Sequence, residues 1–298
     1  MNRRTFFKNS SLTAFSVATL GAIHWNGKSF EGDTVTTTDI LGPFYRPGSP
    51  MRSNLVPTGS KGELLHLSGT IFQKDSKTPL SDVLIEAWQC NEHEQYDNTS
   101  DDYLLRGTVK TGKDGKYAFK TIVPVPYKAS DTSWRPAHIH LRISSASHQD
   151  LITQIYFKGD PYLDKDSSSA SPQAVGRILD INKNAAGEKV IRFDVVMNKS
   201  FPLADEVYKK ICGLYNLENG NAEFYREDDL LFVKINGQLR EGLVYKGDNT
   251  FEGPIGYLKA RFELLADGGT KAIIYKGDFD DLSKVKTWEG VKFLKYRN

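Results

Sequence analysis

WQCNEHEQYDNTSDDYLLRGTVKTGKDGKYAFKTIVPVPYKASDTSWRPAHIH, residues 88–140, decides how this chain is read. Within it, residues 106–111 and 116–122 flank Gly112-Lys113-Asp114-Gly115, a hairpin signature. The stretch ends in His138-Ile139-His140. Residues two apart on a strand share a face, so an extended segment aims both imidazoles at one spot. Ile139, Leu141 and Ile143 fill the opposite, apolar register. Alone, an H-x-H pair is more often packed or surface histidine than a metal site. This pair has company. The chain has 6 His, and two of them form this pair. Tyr127 follows an irregular Pro-Val-Pro turn, and Tyr96 lies in a polar loop after the apolar run 83–88. Tyrosines on loops are candidates for work other than packing. Tyr117, by contrast, alternates with Phe119 and reads as core.

Ligand chemistry narrows what such a set would hold. A phenol ordinarily keeps its proton, with a free pKa of about 10. Only a strongly Lewis-acidic cation would hold two of them deprotonated near neutral pH. Zinc favours Cys, His and carboxylate, and calcium and magnesium favour carboxylates and carbonyls. Two phenolates with two imidazoles therefore favour Fe(III).

The stretch resembles the intradiol ring-cleavage dioxygenases, the non-haem Fe(III) enzymes that include catechol 1,2-dioxygenase and protocatechuate 3,4-dioxygenase. The matching residues are Trp88-Gln89, Tyr96, Arg106-Gly107, Asp114-Gly115-Lys116-Tyr117-Ala118-Phe119, Thr121-Ile122, Pro126-Tyr127 and Trp134-Arg135-Pro136-Ala137-His138-Ile139-His140. Leu41-Gly42-Pro43-Phe44-Tyr45, Gln154-Ile155-Tyr156-Phe157 and Gly159-Asp160 extend the match to roughly residues 37–200. The resemblance implies that Tyr96, Tyr127, His138 and His140 bind iron, with Tyr127 the ligand that leaves when substrate chelates. It implies a catalytic role for Arg135 beside the site, and substrate contacts from Gln154, Gly42 and Pro43. Structural readings stand beside these: Arg135 could pair with a carboxylate, and Gln154 could be an edge-strand polar group. The implied reaction opens a catechol ring with O2, between the two hydroxyl-bearing carbons, to a cis,cis-muconate-type diacid. Val125 departs from the glycine the family often has before its second tyrosine.

The 298 residues exceed one average domain. Basic and acidic residues, 39 and 37, nearly cancel, and no basic stripe interleaves with aromatics, which argues against a nucleic-acid partner. Two cysteines, Cys90 and Cys212, exclude a disulfide framework. Arg3-Arg4-Thr5-Phe6-Phe7-Lys8 precedes a short apolar run, 12–23, which reads as a Tat export signal over residues 1–25. Its partner would be the Tat machinery and its destination the bacterial periplasm, with retention as a membrane anchor left open because no clean cleavage site follows.

Residues 26–64 read as a linker leading into a segment that covers the pocket. Short alternating runs over 65–203 predict an all-β, antiparallel β-sandwich that carries the site. Residues 162–175 read as a polar surface loop, and a short helix is expected near 204–211. The remainder of 204–298 is strand-like and broken by Asn-Gly and Gly-Gly turns, predicting a small antiparallel, barrel-like β domain of unassigned role. Three rivals stay open. A cupin also uses H-x-H but places a Glu a few residues later, and residues 141–147 contain none. A non-catalytic binding module or an iron-binding member without turnover would not consume O2. The substrate would be a small aromatic diol, unnamed by the sequence, and a homo-oligomer is compatible with all of this.

Overall fold

The computed structural model describes residues 23–25, 30–32, 35–131, 133–200, 203–277 and 284–292. The export-signal reading therefore falls almost entirely outside the described residues. Two short strands, β1 (Ile23–Trp25) and β2 (Phe30–Gly32), pair with each other. The strands that follow are β3 (Leu64–Phe72), β4 (Leu84–Trp88), β5 (Arg106–Lys110), β6 (Lys116–Ile122), β7 (Tyr127–Lys128) and β8 (Trp134–Arg135). After them come β9 (His138–Ser145), β10 (His148–Phe157), β11 (Ile178–Leu179), β12 (Asn182–Lys183), β13 (Lys189–Arg192) and β14 (Val195–Val196).

These make a sandwich. One sheet runs β11-β10-β9-β4-β5, and the other is centred on β3, which pairs with β6, β13 and β14. Leu67, Ile71, Ile85, Phe119, Leu141 and Ile155 pack between them, all fully or almost fully buried. Each such side chain contributes about 1.5–3 kcal/mol by leaving water. Most pairs are antiparallel, as expected. The exceptions are β11 beside β10 and β13 and β14 beside β3, which run parallel. Parallel neighbours need long crossovers, which a reading of adjacent hairpins does not reveal.

Strand β9 is buried on both faces through His138–Ile143. Ile139, Leu141 and Ile143 face the core. The other face, with His138, His140 and Arg142, would lie open on an isolated sandwich. Here two further elements cover it.

The first is the segment 35–63. It forms no helix or strand, but it is not a free linker. Its backbone bonds to the sheets, Asp39 N to Ile152 O at 2.9 Å and Arg52 N to Thr108 O at 2.9 Å, and it buries Ile40, Leu41, Tyr45 and Leu55. The second is the C-terminal region. Helix α1 (Asp205–Ile211) leads into β15 (Gly213–Leu217), β16 (Gly220–Glu227), β17 (Leu230–Ile235), β18 (Gln238–Gly247), β19 (Thr250–Glu252), β20 (Leu258–Leu264), β21 (Thr270–Gly277) and β22 (Val285–Lys292). Antiparallel pairing of β15 with β22 closes them into a barrel, which leaves no free edge. Tyr208 and Ile211 of α1 join its core of Tyr215, Phe224, Phe251 and Phe262. The barrel packs against the sandwich through Leu230, Phe232 and Val244, which meet Leu41, Tyr45, Trp88 and Ile152.

The loop 162–175 is also more than surface. It holds two 3-10 turns, Leu163–Lys165 and Pro172–Arg177, and buries Asp166, Ser168 and Ser169. Asp166 is drawn inward by Arg135 and Ser168 by Asp39, while Ser169 bonds within the loop to Leu163 O. No helix among the described residues is long and apolar enough to cross a membrane.

Candidate metal centre

The structure brings Tyr96, Tyr127, His138 and His140 together from three separate stretches of chain. The Nε2 atoms of His138 and His140 lie 3.1 Å apart, and the Tyr96 hydroxyl is 3.1 Å from His138 Nε2. The Tyr127 ring stands 5.6 Å from that of Tyr96 and 5.5 Å from that of His138. Each donor has a local cause. The histidines share a face of β9. Tyr96 rides on a loop shaped by short-range bonds: Asn91 Oδ1 accepts from the amides of His93 and Gln95, and Asp97 carboxylate oxygens accept from those of Ser100 and Leu104. Arg106, fully buried, pins that loop by donating to Asp97 O at 2.7 Å. Tyr127 opens β7 and sits opposite Arg135 of β8.

The donor spacing suits a cation. Two bonds of about 2.1 Å meeting at a right angle leave their donor atoms about 3.0 Å apart. The observed 3.1 Å spacings match that. His138 Nδ1 is 2.6 Å from Pro136 O. Since a carbonyl only accepts, Nδ1 carries the proton and Nε2 presents its lone pair to the centre. Burial, then the charge of Arg135, pushes His138 down to about 3, and burial holds His140 well below its usual range, so both are neutral donors. Burial pushes both phenols up, Tyr96 most strongly. Part of the Tyr96 ring reaches the surface, but its oxygen end is enclosed. As neutral groups the four donors partly satisfy one another, with the Tyr96 hydroxyl placed to donate to His138 Nε2; a strongly Lewis-acidic cation among them would displace the phenol protons and take the same atoms as ligands. No group of three or more His, Cys, Asp or Glu among the described residues could hold a metal, so a metal bound at this cluster would need the tyrosines as ligands.

Arg135 is buried beside the cluster. Its Nε donates to Asp166 Oδ2 at 2.8 Å and its Nη2 to Gln154 Oε1 at 3.0 Å. The carboxylate pairing expected as an alternative is therefore present, with Asp166 as the partner. Gln154 is fully buried, paired with β9 on one side, while on the other β11 reaches only Tyr156 and Phe157 and the Gln154 backbone carbonyl accepts from Arg177 Nη1 at 3.1 Å. Its Nε2 donates to Ile40 O at 2.7 Å. With its carbonyl on Arg135 and one amide proton on the backbone, Gln154 is committed to protein partners. Gly42 lies over the centre with φ +75, and a Cβ there would meet His140 Cε1 at 3.2 Å, so only glycine fits comfortably. Pro43 is exposed beside it.

Several residues of the site escaped the sequence reading. Phe44 stacks on Tyr96, centroids 4.4 Å apart, and meets Tyr127 edge-on at 6.1 Å. Trp88 stacks on His140 at 4.8 Å and 8°. Behind Arg135, Asp39 accepts from Tyr156 at 2.8 Å and pairs with Arg177 and Ser168. Phe44 and Trp88 sat inside quoted motifs, but Asp39, Asp166 and Arg177 lie in stretches without periodicity and gave no signal. Two grooves of about 670 and 640 Å³ run along the seam between sandwich and barrel, and none of the four donors lines them.

Residues 40–199, more than half of the chain, match the profile of a family described as Dioxygenase. The chain belongs to the intradiol ring-cleavage dioxygenase family. This dioxygenase-family chain is 37% identical over 171 residues to the chlorocatechol 1,2-dioxygenase of Rhodococcus opacus, covering 50% of this chain and 65% of that protein. It is 29% identical over 214 residues to the 6-chlorohydroxyquinol 1,2-dioxygenase of Cupriavidus pinatubonensis, covering 66% and 75%. The crystal structure of catechol 1,2-dioxygenase from Acinetobacter radioresistens superposes with a TM-score of 0.52 at 22% identity, over 66% of this chain and 69% of that one, which shows the fold. The chain spans just under two thirds of the length of the first of these relatives. The profile match stops at residue 199, before the barrel.

Proposed function

We propose that this protein binds Fe(III) through Tyr96, Tyr127, His138 and His140 and uses O2 to cleave a catechol-type ring between its hydroxyl-bearing carbons, yielding a cis,cis-muconate-type diacid. The observation that carries the reading is the meeting of the Tyr96 oxygen and two imidazole nitrogens at ligand spacing, with the Tyr127 ring packed beside both Tyr96 and His138. Ferric ion, when bound, supplies Lewis acidity that draws a diol in as its dianion and readies the ring for O2.

The chain's own residues do the rest. His138, oriented by Pro136 O, and His140, backed by Trp88, hold their lone pairs on the centre. The Tyr127 oxygen is the acceptor for one of the two protons released by the incoming diol, and the other passes to solvent, so no separate carboxylate base is required. Arg135, fixed by Asp166 and Gln154, holds a positive charge next to Tyr127, suited to stabilising negative charge that builds on the substrate. Gly42 and Phe44 restrict water above His140 and Tyr96. Relatives named for chlorocatechol and 6-chlorohydroxyquinol support a substituted catechol or hydroxyquinol as substrate. The twin-arginine start supports export by Tat to the periplasm, which cell fractionation tests.

Protein made in iron-replete medium should be burgundy-red from tyrosinate-to-iron charge transfer. Tyr127→Phe should shift that band and slow substrate binding. An oxygen electrode with catechol, chlorocatechol, protocatechuate and hydroxyquinol measures turnover. A colourless, iron-free protein, or an iron-loaded one that consumes no O2 with any of these, would sink the proposal and leave a binding module or a turnover-deficient member.

A further inference from the structure

The barrel lies outside the family match, yet it touches the segment that covers the candidate centre. We propose that Glu241 of the barrel is a positioning residue for that centre, holding the backbone of Leu41 so that Gly42 and Phe44 are set against His140 and Tyr96.

Glu241 is fully buried on β18. Its Oε1 accepts from Leu41 N at 2.9 Å, across 200 residues of sequence, and from Gly242 N at 3.0 Å. A buried carboxylic group is costly to keep, and only a hydrogen-bonding duty offsets that. Its other oxygen, Oε2, finds no partner among the described residues, so the bond to Leu41 is the long-range contact this group serves. The sandwich grips the same strip of chain from the opposite side, through Ile152 O to Asp39 N at 2.9 Å and Gln154 Nε2 to Ile40 O at 2.7 Å. Glu241 completes the grip one residue later, immediately before Gly42.

A second path from the barrel reaches the same place. Phe232 of β17 stacks on Tyr45 at 6.0 Å and 14°, Tyr45 packs on Trp88 at 5.1 Å, and Trp88 stacks on His140. Arg142, two residues beyond His140 on β9, is tied to Glu227 at 2.6 Å and Asp228 at 2.9 Å in the barrel. The barrel thus fixes residues 41–45 at both ends, by a hydrogen bond at Leu41 and an aromatic contact at Tyr45. A cover set by backbone contacts controls how a planar substrate enters more than how fast it reacts, so losing the anchor should act on KM rather than kcat.

The test uses the full chain with Glu241→Gln, Glu241→Leu and Gly253→Ala. Gln keeps an oxygen for the Leu41 amide, and Leu does not. Gly253→Ala displaces Glu241 without deleting it, because the added Cβ would lie 2.9 Å from Glu241 Cγ while the backbone at φ −80, ψ 175 accepts alanine. It also covers the case in which Glu241→Leu fails to fold. The first readout is amide hydrogen exchange over residues 38–45 of iron-free protein, which does not depend on the ring-cleavage reading. Exchange there should be at least tenfold faster in Glu241→Leu, severalfold faster in Gly253→Ala and unchanged in Glu241→Gln. The kinetic arm rests on that reading: KM for the best diol should rise about tenfold in Glu241→Leu, with kcat within twofold and Glu241→Gln near the parent. Unchanged exchange in both Glu241→Leu and Gly253→Ala overturns the proposal. So does faster exchange with unaltered KM, which would make Glu241 a structural anchor only. If no variant, parent included, turns over any diol, the functional reading falls while the exchange data still decide the anchor.

Discussion

The sandwich and the barrel are built from the same material, short β-strands joined by tight turns, but they bury different chemistry. The barrel closes on itself and fills its centre with Tyr215, Phe224, Phe251 and Phe262, whose rings meet at 4.9 to 5.8 Å. Among the described residues, Glu241 is the one carboxylic side chain it buries, and that one reaches Leu41 of the N-terminal segment. The sandwich instead buries Asp39, Arg135, His138, His140, Asp166 and Arg177 around one sheet. Burying charge is unfavourable unless it is paired and hydrogen-bonded. The contrast therefore separates a region whose interior serves stability from one whose interior also serves chemistry.

The sharpest way to break this comparison is at the donors. His140→Ala should cut iron content and lower O2 consumption by more than about a hundredfold, since even groups behind metal ligands cost that order when removed. Elemental analysis and an oxygen electrode measure both. Next comes the support behind them. Arg135→Leu strands Asp166 as a buried, unpaired charge and should cost about 3–5 kcal/mol in chemical denaturation. The barrel gives the counterpart. Phe262→Ala should cost about 3 kcal/mol through the cavity it leaves, while iron content and the charge-transfer band stay at parental values. If Phe262→Ala bleached the band, the division between the two interiors would be wrong.

A further test uses pH. Burial pushes the Glu241 carboxyl up to about 8, only partly offset by the amides of Leu41 and Gly242. The folded chain then keeps a proton that the unfolded chain releases above its ordinary value of about 4. Stability from this group is therefore lost as pH rises from about 4 to about 8 and levels off beyond. Thermal midpoints across pH 5 to 9 should show that fall, and Glu241→Gln should flatten it.

Much of the site was legible in the sequence because its key residues sit in local patterns. His138 and His140 follow the two-residue period of a strand, and Tyr96 and Tyr127 stand out as aromatics in polar or proline-rich loops. The roles assigned to Gln154 and Arg135 were harder to read. Whether an amide faces substrate or backbone depends on Ile40, which is 114 residues away, and Arg135 takes Asp166 from a loop whose serines and aspartates look like surface. That part of 26–64 covers the pocket is legible only through the family resemblance, because extended chain that bonds to sheet edges carries no periodicity of its own.

By itself, the sequence determined that the chain is all-β, where its strands and turns fall, and which four side chains could share a cation. Those properties follow from the alternation of residues along a strand and from the chemistry of individual donors. How the cover is held is visible only in the folded chain: a glycine against His140, a phenylalanine on Tyr96, and a carboxyl group from a second β domain bonded to the residue between sheet and glycine. Contacts between residues 200 positions apart depend on how two finished surfaces dock, and docking is governed by shape and burial that no local pattern encodes.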